Sequence, residues 1–300
     1  MDRAHSTGLA TSIVIGTGAL WGFYWLPVRR LEDLSLPGAW GTLAIVTAAL
    51  VLLTPFAIKG RRRLQKAHPL GVASIALGGV AFVLYSTGFV YGRVAIIILL
   101  FFLTPVWSTL IGRFIMGWPT PPLRIAAIAV GLAGLGLMLG AGGEFPLPQH
   151  TGEWLALLSG ILWSIATTGM RHKADLEPLD ASFVFAAGAC IGAIVLAPVL
   201  GPVPAAMPVA TALTAAGWAI ATGALWWGAS MAGLMWAAPR LEPARVGILL
   251  MAEVLIGTAS AAVLAGEKLG PLELIGGVLV LSAGVLEVWP QRRNAPSQVS

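Results

Sequence analysis

The sequence predicts an all-α, polytopic membrane protein of ten transmembrane helices, arranged as two inverted five-helix repeats. Three observations lead there. The chain is 57% hydrophobic and 10% charged with a mean hydropathy of +0.86, whereas a soluble domain carries about 25% charged residues. Apolar stretches of about 20 residues, the length that spans a hydrocarbon core of about 30 Å, recur from one end to the other. The chain also matches itself at a nearly constant offset.

The expected spans are 9–28, 37–58, 70–91, 94–117, 122–141, 151–172, 180–200, 209–236, 243–266 and 271–289. Each rests on apolar length. Pro and Gly mark the turns between them, as at Trp118-Pro119-Thr120-Pro121-Pro122 and Gly201-Pro202-Val203-Pro204. The first stretch ends in a Trp-rich segment with no small-x-small cleavage site, so it reads as a span and not as a signal peptide. The polar tail from Gln291 to Ser300 is expected to be disordered. Residues 1–145 form the first five-helix unit, 146–290 the second and 291–300 a cytoplasmic tail.

Ten spans place both termini on one side. If that side is the cytoplasm, 14 of the 18 basic residues lie inside, among them Lys59, Arg61, Arg62, Arg63 and Lys66; only Arg29, Arg93, Arg30 and Lys268 fall outside. The positive-inside bias therefore fixes the orientation, and the net charge of +5 reads as topology, with no nucleic-acid partner expected. The bilayer and a small-molecule substrate are the expected partners, and the chain is expected to be a monomer. Four small-xxx-small pairs, including Gly18/Gly22 and Gly188/Gly192, read as close helix packing within the chain.

The self-match has two parts. Leu20-Trp21 and Arg29 find Leu162-Trp163 and Arg171, 142 positions later. Thr109, Gly117, Pro122, Leu123, Leu132 and Leu137 find identical residues 149 positions later, at Thr258, Gly266, Pro271, Leu272, Leu281 and Leu286. An odd number of spans per repeat turns the second copy upside down, the build in which secondary transporters place a site at the repeat interface.

The stretches Leu20-Trp21-Gly22, Thr104 to Gly112 and Met251 to Gly284, with Gly266-Glu267 and Ile275-Gly276-Gly277 inside the last, resemble the drug/metabolite transporter superfamily in its ten-helix type with two EamA-like repeats. Within it the chain is most similar to the YddG-like amino-acid exporters. The resemblance implies a bacterial inner-membrane protein that moves its substrate outward. The sequence departs from the family pattern at Gly117-Trp118, where Gly-Glu is usual, and at Glu253-Val254, where a proline commonly follows.

Nothing in the sequence points to an enzyme. Phosphate-binding, zinc-protease and serine-hydrolase signatures are absent, and the four histidines fall in loops or at span ends. No cofactor or metal is expected, and the single Cys190 excludes an intrachain disulfide. Every lysine lies in a loop, so a strongly anionic substrate would lack a buried cation. The candidate substrate residues are aromatic or polar at mid-span: Trp21, Tyr24, Tyr85, Thr104, Trp107, Trp163, Trp227 and Glu253. Indole and phenol rings offer apolar walls with one donor each, suited to an amino acid with an apolar or aromatic side chain; packing is the plain alternative.

Glu253 is the one acid at the centre of a span, and Thr104 is its repeat mate. A charge at that depth costs about 2.5–3.5 kcal/mol on insertion scales. Glu253 is expected to balance a substrate ammonium group, to carry a coupling proton, or to hold a neighbouring helix by a hydrogen bond. Two rivals to amino-acid export stand: efflux of drugs or cations, and a non-transporting assembly or sensor component.

Overall fold

The computed structural model describes residues 3–117, 122–142, 147–173, 176–241 and 243–288. Among them regular structure is entirely helical. The expected turn at Trp118 to Pro121 and the polar tail lie outside the described residues, as do Trp118 and Trp289.

Seven segments are long and apolar enough to cross a membrane: Thr7–Asp33, Ala39–Lys66, Pro69–Tyr91, Val94–Phe114, Pro122–Leu139, Pro178–Leu200 and Val209–Ala237, with shorter apolar helices at Ile248–Leu264 and Pro271–Leu286. Several of these are interrupted. The first consists of α1 (Arg3–Trp21) and α2 (Trp25–Asp33), followed by the uninterrupted α3 (Ala39–Lys66) and α4 (Pro69–Tyr91). The next is split into α5 (Val94–Phe101) and α6 (Thr104–Phe114), and α7 is Pro122–Leu139. After α8 (Thr151–Lys173) and α9 (Pro178–Leu200) comes α10 (Val209–Thr222). A π-helical stretch, Gly223–Ser230, joins α10 to α11 (Met231–Ala237). The last two segments are α12 (Pro243–Leu250) with α13 (Ala252–Leu264), and α14 (Pro271–Val288).

Two helices run past their expected ends. The first segment continues to Asp33 because Arg29 and Glu32, at the end of α2, both find partners. The helix expected at 37–58 continues to Lys66, and its basic side chains are exposed. Twenty-eight residues at 1.5 Å each reach about 42 Å, so the basic turns project beyond the apolar core. Arg63 binds back to the buried Asp180 of α9 at 2.7 Å and to Glu177 at 3.1 Å.

The helix α4 is central, covered by α8 on one side and α9 on the other. Glycine permits both approaches. A Cβ on Gly79 would fall 2.0 Å from the carbonyl of Phe185, and one on Gly152 would fall 2.7 Å from the carbonyl of Gly88. Gly18 and Gly22 likewise press α1 against α13, and Gly188 presses α9 against α4. These pairs pack helices within the chain; Gly136 has no such neighbour.

The interruptions differ in cause. Pro105 has no N–H and restricts the residue before it, so the α5–α6 break follows from sequence. The π stretch seats Gly223 against the α3 backbone, where a Cβ would meet Ala49 N and Ile45 O at 2.8 Å. The α12–α13 break at Met251 has no proline or glycine to mark it; the sequence pattern called for no break there.

Candidate functional site

The interruptions gather around one cavity of about 200 Å³. Its wall includes Trp21 at the end of α1 and Phe101, Phe102, Thr104 and Pro105 at the α5–α6 break. Met231 follows the π stretch, and Leu250, Met251 and Glu253 flank the α12–α13 break. Phe82, Trp163 and residues of α14 complete it. Broken helices expose backbone and side chains at a depth where a continuous helix would present only an apolar surface.

Four expected residues line this cavity: Trp21, Thr104, Trp163 and Glu253. They are two sets of repeat mates, Trp21 with Trp163 and Thr104 with Glu253. The Trp21 indole donates to Ser230 Oγ at 3.0 Å, which fixes its ring. Thr104 donates to the Phe101 carbonyl at 2.6 Å, and its own carbonyl accepts from Ser164 at 3.0 Å, tying the broken helix to α8.

Tyr24, Tyr85 and Trp227 do not line the cavity; all three are fully buried behind its wall. The Trp227 indole donates to the Tyr24 hydroxyl at 3.0 Å, that hydroxyl pairs with Ser86 Oγ at 3.0 Å, and Ser86 pairs with Thr42 at 2.7 Å. This chain satisfies polar atoms in an aromatic core and reaches no open space. Tyr85 differs. Its hydroxyl donates to Glu253 Oε1 at 2.8 Å, so it acts on the cavity through the one carboxylate in the wall.

Trp107 is not in the wall. It stands on the α8 side of α6, with Cδ1 3.5 Å from where a Cβ on Gly160 would sit, and its indole N–H has no partner among the described residues. From α6 the wall takes Thr104 and Pro105, while the Trp107 ring packs toward Gly160 of α8.

Phe82 was not among the expected residues, yet it stands between the repeat mates. Its ring centroid lies 5.1 Å from Trp21 and 5.0 Å from Trp163, edge-on to both. It also meets Phe101 at 5.5 Å and Phe185 at 5.4 Å. The one available signal was its spacing, three residues before Tyr85 on α4 and so on the same helix face.

Glu253 is the only ionisable side chain among the lining residues. It is 7% exposed. Tyr85 is its one hydrogen-bond donor among the described side chains, so Oε2 keeps its acceptor capacity. Among the described residues the wall therefore offers aromatic and aliphatic surface, the hydroxyl side chains of Thr17 and Thr104, one carboxylate and no cationic group.

The EamA-like transporter family model matches residues 9–140 and 150–288. The chain belongs to the EamA-like transporter family. Members are membrane transporters of small molecules and not enzymes, and this chain is a multi-pass membrane protein of that kind. No curated protein matches it significantly. A solved structure titled only "Crystal structure of protein" is similar to it with a TM-score of 0.58 and 19% identity, over 95% of this chain and 96% of the other. That likeness is one of fold.

Proposed function

We propose that this EamA-family protein is a secondary transporter that exports amino acids with apolar or aromatic side chains, or similar small metabolites, across the bacterial inner membrane by alternating access. Ten spans form two inverted repeats, 1–145 and 146–290, with both termini cytoplasmic and the chain a monomer. Substrate sits in the cavity against Trp21, Phe82 and Trp163. Its ammonium group faces Glu253, and Tyr85 holds that carboxylate in place.

One observation carries the reading: a carboxylate with spare acceptor capacity stands in a wall whose other described side chains are uncharged and mostly aromatic or aliphatic. Rings supply area for an apolar side chain, and a cation near them gains further from the ring quadrupole. The two pairs of repeat mates in that wall support a site at the repeat interface. The same carboxylate favours a second reading, efflux of apolar cations, because the lining residues include no cationic partner for a substrate carboxylate.

Counterflow of radiolabelled substrate in liposomes separates the two. Exchange of aromatic and branched amino acids supports the first reading. Exchange of quaternary or aryl amines without amino acids supports the second, and exchange of neither class overturns both.

A further inference from the structure

The turn between α13 and α14 carries Glu267, whose counterpart in the first repeat is Trp118. Among the described residues its carboxylate accepts from donors of the other matched segment. Oε1 takes Val94 N at 2.8 Å and Arg29 Nη2 at 3.2 Å, and Oε2 takes Ala95 N at 3.2 Å. Two of those donors are the first free N–H groups of α5, so the acid caps a helix that belongs to the opposite repeat. Arg29 also donates to the carbonyls of Phe89 and Gly92, each at 3.0 Å, and lies over the Trp25 ring at 5.3 Å. Beside it Arg93 donates to both oxygens of Glu273 and to the Lys268 carbonyl. The whole network stands at the end of the bundle remote from the Lys59–Lys66 turns, since α3 runs from one end to the other.

Between this network and the cavity, the α1–α2 junction packs against α13. The Trp25 indole donates to Ser260 Oγ at 3.0 Å, and Ser260 donates to the Gly22 carbonyl at 3.1 Å. A Cβ on Gly22 would fall 2.8 Å from Gly257 N, and one on Gly257 would fall 2.3 Å from Ile98 Cδ1. The exit toward that end is thus shut by contact of backbone with backbone, with the ion pairs outermost. At the other end α1 meets α11 and α12 through Ala10, Val14, Ala237 and Leu241, and no ion pair joins those helices among the described residues.

We propose that Arg29–Glu267 and Arg93–Glu273 form a clasp that holds the two repeats together at this end, and that it must part for the cavity to open there. The inference rests on the cavity being the transport path. Its physical basis is the reversibility of such contacts. The guanidinium sides are partly exposed, 33% at Arg29 and 42% at Arg93, against 10% at Glu267 and 13% at Glu273, so water takes over hydrogen bonds as the pairs part, whereas parting an apolar seam exposes surface to water without replacement. The charges hold this end in register, and water replaces part of what is lost when they separate.

The test uses the full-length protein in liposomes with Cys190→Ser and a single Ile98→Cys, read by the rate of reaction with a membrane-impermeant thiol reagent. Ile98 is fully buried in the closed seam. With Glu267→Gln the labelling rate is expected to rise about fivefold, the shift that 1 kcal/mol of clasp energy gives. Arg93→Gln is expected to act in the same direction while leaving the α5 cap intact. Ile45→Cys, equally buried but on α3, is the control and is expected to be unaffected. Unchanged labelling at Ile98 in both variants overturns the clasp. So does equal acceleration at Ile45, or failure of both variants to insert, since each outcome makes the network a structural staple. Labelling needs no substrate, so failure of the transport reading and failure of the clasp are told apart: a variant that labels faster where no tested substrate moves leaves the clasp standing.

Discussion

The Tyr85 hydroxyl donates a 2.8 Å hydrogen bond to Glu253 Oε1, joining α4 of the first repeat to α13 of the second beside the central cavity. A buried carboxylate left without a donor loses stability, and the cost of leaving one such partner unmade is about 1–3 kcal/mol. Tyr85→Phe is therefore expected to lower the melting temperature in detergent. In a double-mutant cycle with Glu253→Leu, which removes the acceptor, the two losses should be less than additive. Fully additive losses would show that the two groups do not depend on each other.

Phe82, Trp21 and Trp163 share one aromatic surface. Truncating a ring that contacts substrate costs about 1–3 kcal/mol of binding by analogy with other anchors. Trp163→Ala, partly exposed to the cavity, is expected to weaken transport more than it weakens the fold. Phe82→Ala is expected to do both, because removing a buried Phe costs about 3–5 kcal/mol of stability. Normal transport by Trp163→Ala for every substrate tested would remove Trp163 from the site.

The indole N–H of Trp107 has no partner among the described residues, and its ring lies outside the cavity wall. Trp107→Phe keeps most of the packed area and removes the unpaired polar group, a change that is neutral or stabilising in general. Transport is expected at the normal rate with an equal or higher melting temperature. A selective loss of substrate affinity would return Trp107 to the site.

Which of these residues was legible in the sequence has a physical reason. Trp21 and Trp163 were legible because the same residue recurs at matching places in both repeats. Glu253 was legible because an acid is costly inside an apolar span. Tyr24, Tyr85 and Trp227 are buried behind the wall, a position that the sequence pattern does not distinguish from one facing the cavity. A span that is apolar all round has no amphipathic stripe to fix its rotation. Phe82 and Phe101 were silent, because an apolar ring in an apolar helix carries no mark. The α5–α6 break could be read from Pro105, whereas the α12–α13 break at Met251 had no sequence signal. The role of Glu267 was hidden by its location in a turn, where an acid usually meets only water.

In the proposed transport cycle Glu253 does more than hold two helices together. A charge at its position is costly unless water or a cation reaches it, so a proton on this carboxyl is held unequally by a closed and a wetted cavity. Unequal binding to two conformations is what lets a ligand bias them. Gln keeps the shape and can still accept from Tyr85, so Glu253→Gln is expected to fold and insert. The deciding measurement is the pH profile of counterflow in liposomes for the unaltered protein and for Glu253→Gln, at matched protein density. Slower transport and a flattened profile are expected in the variant. A normal rate with an unchanged profile would contradict a role in transport and leave Glu253 a structural residue.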